Sequence, residues 1–291
     1  MAFVDRWAAV DFLACTGHVP LEPYWSAPLK VVLTQPKVRM LDGEDIGRIA
    51  KTIERRAFKG DQDDVILLPE LVGEGYSPAD YHTAVAELAR EFGCHVVGGS
   101  QFDNLGALPV NQGIVVDPGG AVIARYQKAN PYGRERNISQ AGERAGASFN
   151  IGGVQCFVLV CADFFHVETY RHLEIPPEII FVPALSVSRK STPHMARARW
   201  RHAMIARAFE QAAYIAVSDW AYPVRGGGGE HPSSGVAGLA HPDPQTTADL
   251  LSLLGRSQVR VFDIDLEAGR LLRADQRSRG FEIAGLRQEQ P

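Results

Sequence analysis

Three apolar runs in this chain end on three different chemistries. "ILLPE" ends on Glu70, "ARYQK" on Lys128 and "FVLVC" on Cys161. Each ionisable group stands where a strand should stop. In α/β sheets ligand chemistry gathers at strand ends, where side chains project from rigid scaffold. A carboxylate, an ammonium and a thiol are parts for work on an amide. A general base takes the thiol proton, because the thiolate is the nucleophile. A cation offsets the oxyanion of the tetrahedral intermediate. The carboxylic acid so formed returns its proton to the leaving amine. Taken singly, each residue has a plainer reading. Free cysteine is among the most buried residue types, Glu70 could cap a helix or sit at the surface, and Lys128 could pack its stem and extend its ammonium to water. Together they favour chemistry, since a charge directly after Pro69 and four apolar residues is hard to bury without a partner.

Strands alternating with amphipathic helices must position these groups. "LKVVLTQ" (Leu29–Gln35) reads as a strand. A helix follows, with Ile46, Ile49, Ala50, Ile53 and Ala57 at spacings of three and four. "DVILLPE" is a short apolar strand, and Asp80 to Phe92 is helical with Ala84, Leu88 and Phe92 on one stripe. "HVVGGSQ", "QGIVVDP" and "AVIARYQK" read as successive strands, the last two joined as a hairpin at Asp117-Pro118-Gly119-Gly120. "VQCFVLVC" and "EIIFVPA" flank a short helical stretch, and a strong helix runs from about Pro193 to Gln211. "YIAVSDW", "SGVAGLA" and "VRVFDIDL" complete roughly ten to twelve strands and four to six helices in one continuous α/β domain. Strands without polar alternation are covered on both faces. A doubly wound open sheet would satisfy this, as would two stacked sheets with helices outside. The hairpins favour the stacked, mixed sheets.

The bulk numbers agree with a soluble globular protein. With 45% hydrophobic and 22% charged residues the 291-residue chain has the composition of a globular protein. A formal net charge of −4 offers no basic footprint for nucleic acid, and no apolar run reaches the ~18 residues of a membrane helix. The apolar N-terminus is interrupted by Asp5, Arg6 and Asp11 and lacks a basic leader, which argues against a signal peptide. Cys15, Cys94, Cys156 and Cys161 show no CxxC spacing and read as free thiols in a reducing compartment, with the cytoplasm as the expected location. Cys161, Asp163 and His166 form a C-x-D-x-x-H cluster, but its spacing does not match common zinc sites, so no metal is expected. A papain-like pairing with His95 or His166 is a further alternative. The Gly226–Gly229 run lacks the Lys-Ser/Thr and strand–helix context of a phosphate loop.

At this point the sequence resembles the nitrilase superfamily, the carbon–nitrogen hydrolases with a Glu–Lys–Cys triad. The resemblance runs from about Leu29 to Leu272. "KVVLTQ" is similar to the family's opening strand. "VILLPELVGEGY" resembles the segment of the catalytic glutamate, which assigns that role to Glu70 and brings Tyr76 forward as a substrate-side residue. "ARYQKANPYGRE" resembles the lysine segment (Lys128), with Glu135 at the family's accessory glutamate. "LVCADFF" resembles the nucleophile segment (Cys161). "ARAFEQAAYIAVSD" and "VFDIDLEAGRL" resemble the helix-plus-strand motif and the closing strand.

The resemblance implies a four-layer α-β-β-α sandwich of two mixed sheets, no metal or organic cofactor, and assembly as a homodimer or larger oligomer. It also implies a mechanism. Glu70 acts as base and then acid, Cys161 forms a thioester, and the Ala162 N–H and Lys128 hold the oxyanion, with Glu135 positioning Lys128 or the substrate. The chain departs from the family after the nucleophile. Most members place an aromatic and then an acidic residue there, followed by a Pro-Glu pair. Here Ala162 replaces the aromatic, Asp163 keeps the acid, and Val167 stands at the proline. The Trp-Glu pair of nitrilases proper is absent, which favours an amide or carbamoyl compound as substrate. Ala162 leaves acyl room, with Phe164 and Phe165 offering apolar surface beside it. Trp200, Met204 and Ala208, at spacings of four, suggest an apolar seam for a homodimer, with Arg197, Arg199 and Arg201 on a solvated or subunit-facing side. Residues 1–28 and 274–291 read as appended arms around a domain of 29–273, and Arg225–Ser234 reads as a mobile loop. Nitrile hydrolysis, acyl transfer to an amine and a catalytically silent binding protein are the rival functions.

Overall fold

Alternate residues of the apolar strands face two different cores. The computed structural model describes residues 28–281, apart from 105, 172, 189 and 227–232. β1 (Leu29–Thr34) turns Val31 and Leu33 to one side and Val32 to the other. Helix α1 (Asp45–Glu54) follows, then β2 (Val65–Leu67), helix α2 (Pro78–Phe92), β3 (His95–Val97), β4 (Gln101–Asp103), β5 (Val110–Val116) and β6 (Val122–Gln127). The second half contains β7 (Ala147–Ile151), β8 (Val154–Val158), the short α3 (Glu168–Arg171), β9 (Ile179–Pro183), α4 (His194–Gln211), β10 (Tyr214–Ser218), β11 (Gly238–Ala240), β12 (Leu251–Leu253), β13 (Val259–Ile264) and α5 (Leu266–Ser278).

Seven strands make one sheet in the order β13-β1-β2-β3-β5-β4, with β6 on the other edge of β5. Six make the second, β12-β11-β10-β9-β8-β7. Both are mixed: β1, β2 and β3 run parallel, as do β8, β9 and β10, and the remaining pairs are antiparallel. Val31, Leu33, Val65 and Leu67 of the first sheet meet Cys156, Val158, Ile179 and Phe181 of the second in a shared core. The alternate residues Val32, Ile66 and Val96 pack under α1 and α2, and Ile180, Val182 and Ile215 pack under α4. The result is an α-β-β-α sandwich. Strands buried on both faces explain why the sequence shows apolar runs instead of alternation.

The hairpin forms as expected. Asp117 closes it by accepting from the Ala121 and Gly120 N–H groups, each at 2.8 Å. Two expectations are corrected. Helix α5 spans residues 273 and 274, so the chain beyond 273 begins inside a helix that buries Gly269, Leu272 and Gln276. Trp200, Met204 and Ala208 do not form an outward seam: they are buried against Leu159, Ile180, Val182 and Ile215 of the chain's own sheet. An amphipathic stripe at this spacing fits either surface, and the nearest uncovered sheet takes it. The N-terminal arm, with Cys15, and most of the Arg225–Ser234 loop lie outside the described residues. Among those residues Cys94, Cys156 and Cys161 are free thiols, and no helix is long and apolar enough to cross a membrane.

Candidate active site

The carboxyl ends of β2, β6 and β8 deliver Glu70, Lys128 and Cys161 to one place between the sheets. Glu70 follows β2 by three residues. Its backbone is fixed on both sides: its N–H donates to Ala184 O at 3.3 Å, and its carbonyl accepts from Trp220 Nε1 at 2.8 Å. Gly99 lets the neighbouring loop approach, because a Cβ there would lie 2.2 Å from the Pro69 carbonyl oxygen at a left-handed φ of +72°. Lys128, one residue beyond β6, donates Nζ to Glu70 Oε1 at 2.7 Å and also to Glu135 Oε2. Glu70 and Lys128 are 2% and 3% exposed, so this ammonium between two carboxylates is essentially buried.

Cys161 sits in a left-handed backbone conformation, φ +46°, at the start of a single 3-10 turn, Cys161–Phe165. A non-glycine residue held there is strained, a feature concentrated at functional sites. Its thiol donates to the Leu185 carbonyl at 3.8 Å and feels the charge of the nearby Glu70 carboxylate. The thiol is half-buried at the wall of a cavity of about 260 Å³. Ala162, Phe165, Leu185, Arg199 and Trp200 also line that cavity.

Burial raises the Cys161 thiol well above its ordinary value, and the Glu70 carboxylate adds to this against the pull of Lys128. Burial also raises Glu70, Lys128 draws it back, and Glu135 raises it again. For Lys128 burial opposes the charge, but Glu70, Cys161 and Glu135 outweigh it and hold the ammonium. The resting arrangement is therefore a thiol beside a carboxylate and a fixed cation. Such a set can pass a proton from sulfur to carboxylate as the sulfur attacks, and can offset negative charge that develops beside Lys128.

The structure adds Asn111 and Leu185, which the sequence did not single out, and gives Asp163 a new place. Asn111, on β5, uses its one amide group to bridge Glu70 Oε1 at 3.0 Å and Glu135 Oε1 at 2.9 Å. The Leu185 N–H holds Glu70 Oε2 at 2.8 Å. Buried Asp163 accepts from Ala129 N at 3.0 Å, Asn130 N at 2.8 Å and Asn130 Nδ2 at 2.7 Å. It thereby ties the nucleophile turn to the residues after Lys128. That is its place in the fold, in contrast to the metal-ligand reading weighed from its spacing. Fully buried Asp219 holds Ser186 through the backbone N–H at 3.1 Å and the hydroxyl, next to Leu185.

Of the expected pocket residues, Ala162 and Phe165 line the cavity. Phe164 does not: it is fully buried and stacks on Trp200 with ring centroids 5.5 Å apart. Tyr76 is likewise corrected. Its hydroxyl accepts from Ile46 N at 3.2 Å and its ring joins the core under α1 and α2. His95 pairs with Val65, at the opposite end of β2 from Glu70. Arg197 is only partly exposed: it donates to Ser234 O at 2.7 Å and lies over the Tyr222 ring.

Residues 32–243 match the model of the carbon–nitrogen hydrolase family. The chain is 26% identical over 257 residues to a nitrilase of Pyrococcus abyssi, across 82% of this chain and 90% of that one. Its fold is similar to that of an amidase from Nesterenkonia sp., with a TM-score of 0.67 and 23% identity over 87% of this chain and 97% of that one. It is also similar to a nitrilase-superfamily member of Saccharomyces cerevisiae, with a TM-score of 0.68 and 17% identity over 87% and 94% of the two chains.

Proposed function

The chain belongs to the carbon–nitrogen hydrolase family and is a C–N hydrolase, and from this premise we propose that it cleaves a small amide or carbamoyl compound through a thioester on Cys161. The observation that carries this reading is the buried contact of one ammonium with two carboxylates beside a strained cysteine at a cavity wall.

In the proposed cycle Glu70 accepts the Cys161 proton as the sulfur attacks the substrate carbonyl. Lys128 Nζ and the Ala162 N–H stabilise the oxyanion. Protonated Glu70 passes its proton to the leaving nitrogen as the C–N bond breaks, leaving the acyl group on sulfur. Water, deprotonated by Glu70, attacks the thioester. The acid leaves, and the proton returns to Cys161. Glu135 and Asn111 keep Lys128 and Glu70 in register and touch neither reacting atom. Raised thiol and carboxylate values support proton transfer during attack over a standing thiolate. The proposal extends to a cytoplasmic homodimer. The exposed Met195 and Phe209 on α4 support an assembly surface, and a monomer by light scattering at micromolar concentration would end that part.

The test is product release from matched amides, carbamoyl compounds and nitriles, with Cys161→Ala as control. Ammonia or amine from the first two classes, abolished in the variant, supports the reading. Nitriles as the only substrates would overturn it.

A further inference from the structure

The peptide between Leu185 and Ser186 faces two groups at once. Its carbonyl accepts from the Cys161 thiol at 3.8 Å, and its N–H donates to Asp219 Oδ1 at 3.1 Å. A trans peptide points these two groups in opposite directions. Whatever holds the N–H therefore aims the carbonyl. The same short segment grips Glu70 twice: the Leu185 N–H donates to Glu70 Oε2 at 2.8 Å, and the Ala184 carbonyl accepts from the Glu70 N–H at 3.3 Å.

Asp219 is placed for this by a strand end. It directly follows β10 and is fully buried, and its own N–H donates to Thr34 O at 3.2 Å. Its neighbour Trp220 donates to the Glu70 carbonyl at 2.8 Å. Each carboxyl oxygen of Asp219 meets two donors. Oδ1 takes the Ser186 N–H and the Ser233 hydroxyl at 2.8 Å, and Oδ2 takes the Ser186 hydroxyl and the Val236 N–H at 2.8 Å. Burial raises this carboxyl against the pull of its donors, a cost that an apolar packing residue would avoid. A flipped Leu185–Ser186 peptide would turn its carbonyl oxygen on the carboxyl oxygens, which repel it. Asp219 thus permits one orientation of the peptide that faces the thiol.

We propose that Asp219 is a positioning residue for the reaction at Cys161, acting through the Leu185–Ser186 peptide on both the Glu70 carboxylate and the Cys161 thiol. The inference rests on the reading of Glu70 as base and Cys161 as nucleophile.

Asp219→Ala should lower kcat by about a hundredfold with KM little changed, the cost of a misplacement on the order of 1 Å. The acid limb of kcat/KM should rise, because Glu70 loses the Leu185 N–H that favours its charged form. Loss of a nearby negative charge alone would move the limb the other way. Asp219→Asn keeps an acceptor for the Ser186 N–H, so kcat should recover to within about tenfold of wild type without a rise in the limb. An Asn variant as impaired as the Ala variant overturns the route through the peptide. Ser233→Ala removes a donor from the same carboxyl but leaves the peptide contact. It should lower stability in urea and leave kcat and the limb unchanged. A limb that stays or falls in folded Asp219→Ala overturns the proposal, as does a kcat loss in Ser233→Ala equal to that in Asp219→Ala. Should Asp219→Ala fail to fold, Asp219→Glu replaces it: the acceptors remain but are displaced by one methylene, and kcat should fall as far. Wild-type kcat in that variant overturns the proposal.

Iodoacetamide labelling of Cys161 reads the positioning without any amide. Its rate at neutral pH should fall about tenfold in Asp219→Ala and return in Asp219→Asn, because the thiol loses its aligned base. Equal rates in all three proteins count against the proposal. If the labelling rates behave as expected but the wild type hydrolyses no amide, the fault lies in the amidase reading and not in Asp219.

Discussion

Lys128 Nζ stands 2.7 Å from Glu70 Oε1 and contacts Glu135 on its other side, with Glu70 and Lys128 both buried. One cation thus pairs with two neighbouring carboxylates while remaining next to the sulfur of Cys161. Its proposed role in the transition state and its role in the resting charge balance come from the same atom.

Replacing it should therefore reveal both. Lys128→Met is expected to lower kcat by about 10²–10³, the usual loss of one oxyanion donor, with a smaller change in KM. It also leaves Glu70 and Glu135 without their partner, which typically costs about 3–5 kcal/mol for a buried pair. The sign with pH follows. Glu70 is raised by burial and drawn back by Lys128, so losing Lys128 raises it further; a carboxyl raised above its unfolded value stabilises the fold when protonated, and that stability is lost as pH rises through the folded value. The gap in unfolding free energy between wild type and Lys128→Met should widen from pH 5 to 8 in urea titrations. A gap independent of pH would contradict the charge-balance argument.

The acid limb of kcat/KM should lie above the ordinary glutamate value of about 4.3, because burial raises Glu70 and the base must be ionised to take the thiol proton. Activity is lost as pH falls through that limb. Glu135→Gln removes a charge that raises Glu70, so the limb should move to lower pH. Movement upward would show that Glu135 acts on Glu70 by some other route. The apparent value belongs to the coupled site and not to one residue.

Asn111→Ala removes the amide that bridges the two carboxylates. A loss of about ten- to a hundredfold in kcat with KM little changed is expected for a positioning residue. The acid limb should also rise, since Glu70 loses a donor to its charged form. An unchanged pH profile would mean that Asn111 serves the fold alone.

Asp163→Asn turns an amide group toward backbone N–H donors in a fully buried place. It should cost about 1–3 kcal/mol in denaturant unfolding. It should also lower kcat, because the Cys161 turn and the Lys128 segment lose their tie. Lost stability with kcat intact would assign Asp163 to the fold only.

The convergence of Glu70, Lys128 and Cys161 was legible in the sequence because strand ends are marked by apolar runs and each side chain is chemically distinctive. Asn111 was not: it lies one residue before the run read as a strand, and a polar residue there carries no sign of its partners. The Leu185 N–H has no side-chain signature at all. Tyr76 was drawn to the site by nearness to Glu70 in sequence. The chain turns through Leu71 at φ +56°, and Tyr76 docks under α1. Neighbouring Phe164 and Phe165 part company because consecutive residues of a 3-10 turn face different sides. The helix from Pro193 was read correctly as an element, but its apolar stripe could not declare which sheet it covers. Helix α5 was missed because arginines dominate its surface and Leu272 is its one large buried apolar residue.

The most direct test of the central claim is mass spectrometry of the intact protein, quenched in acid during turnover of an amide substrate. The account predicts an added acyl mass on the peptide containing Cys161, released by hydroxylamine and absent from Cys161→Ala. It also predicts that this variant keeps its fold but less than about a tenth of wild-type activity. An acyl group found on another residue, or turnover by Cys161→Ala near the wild-type rate, would contradict it.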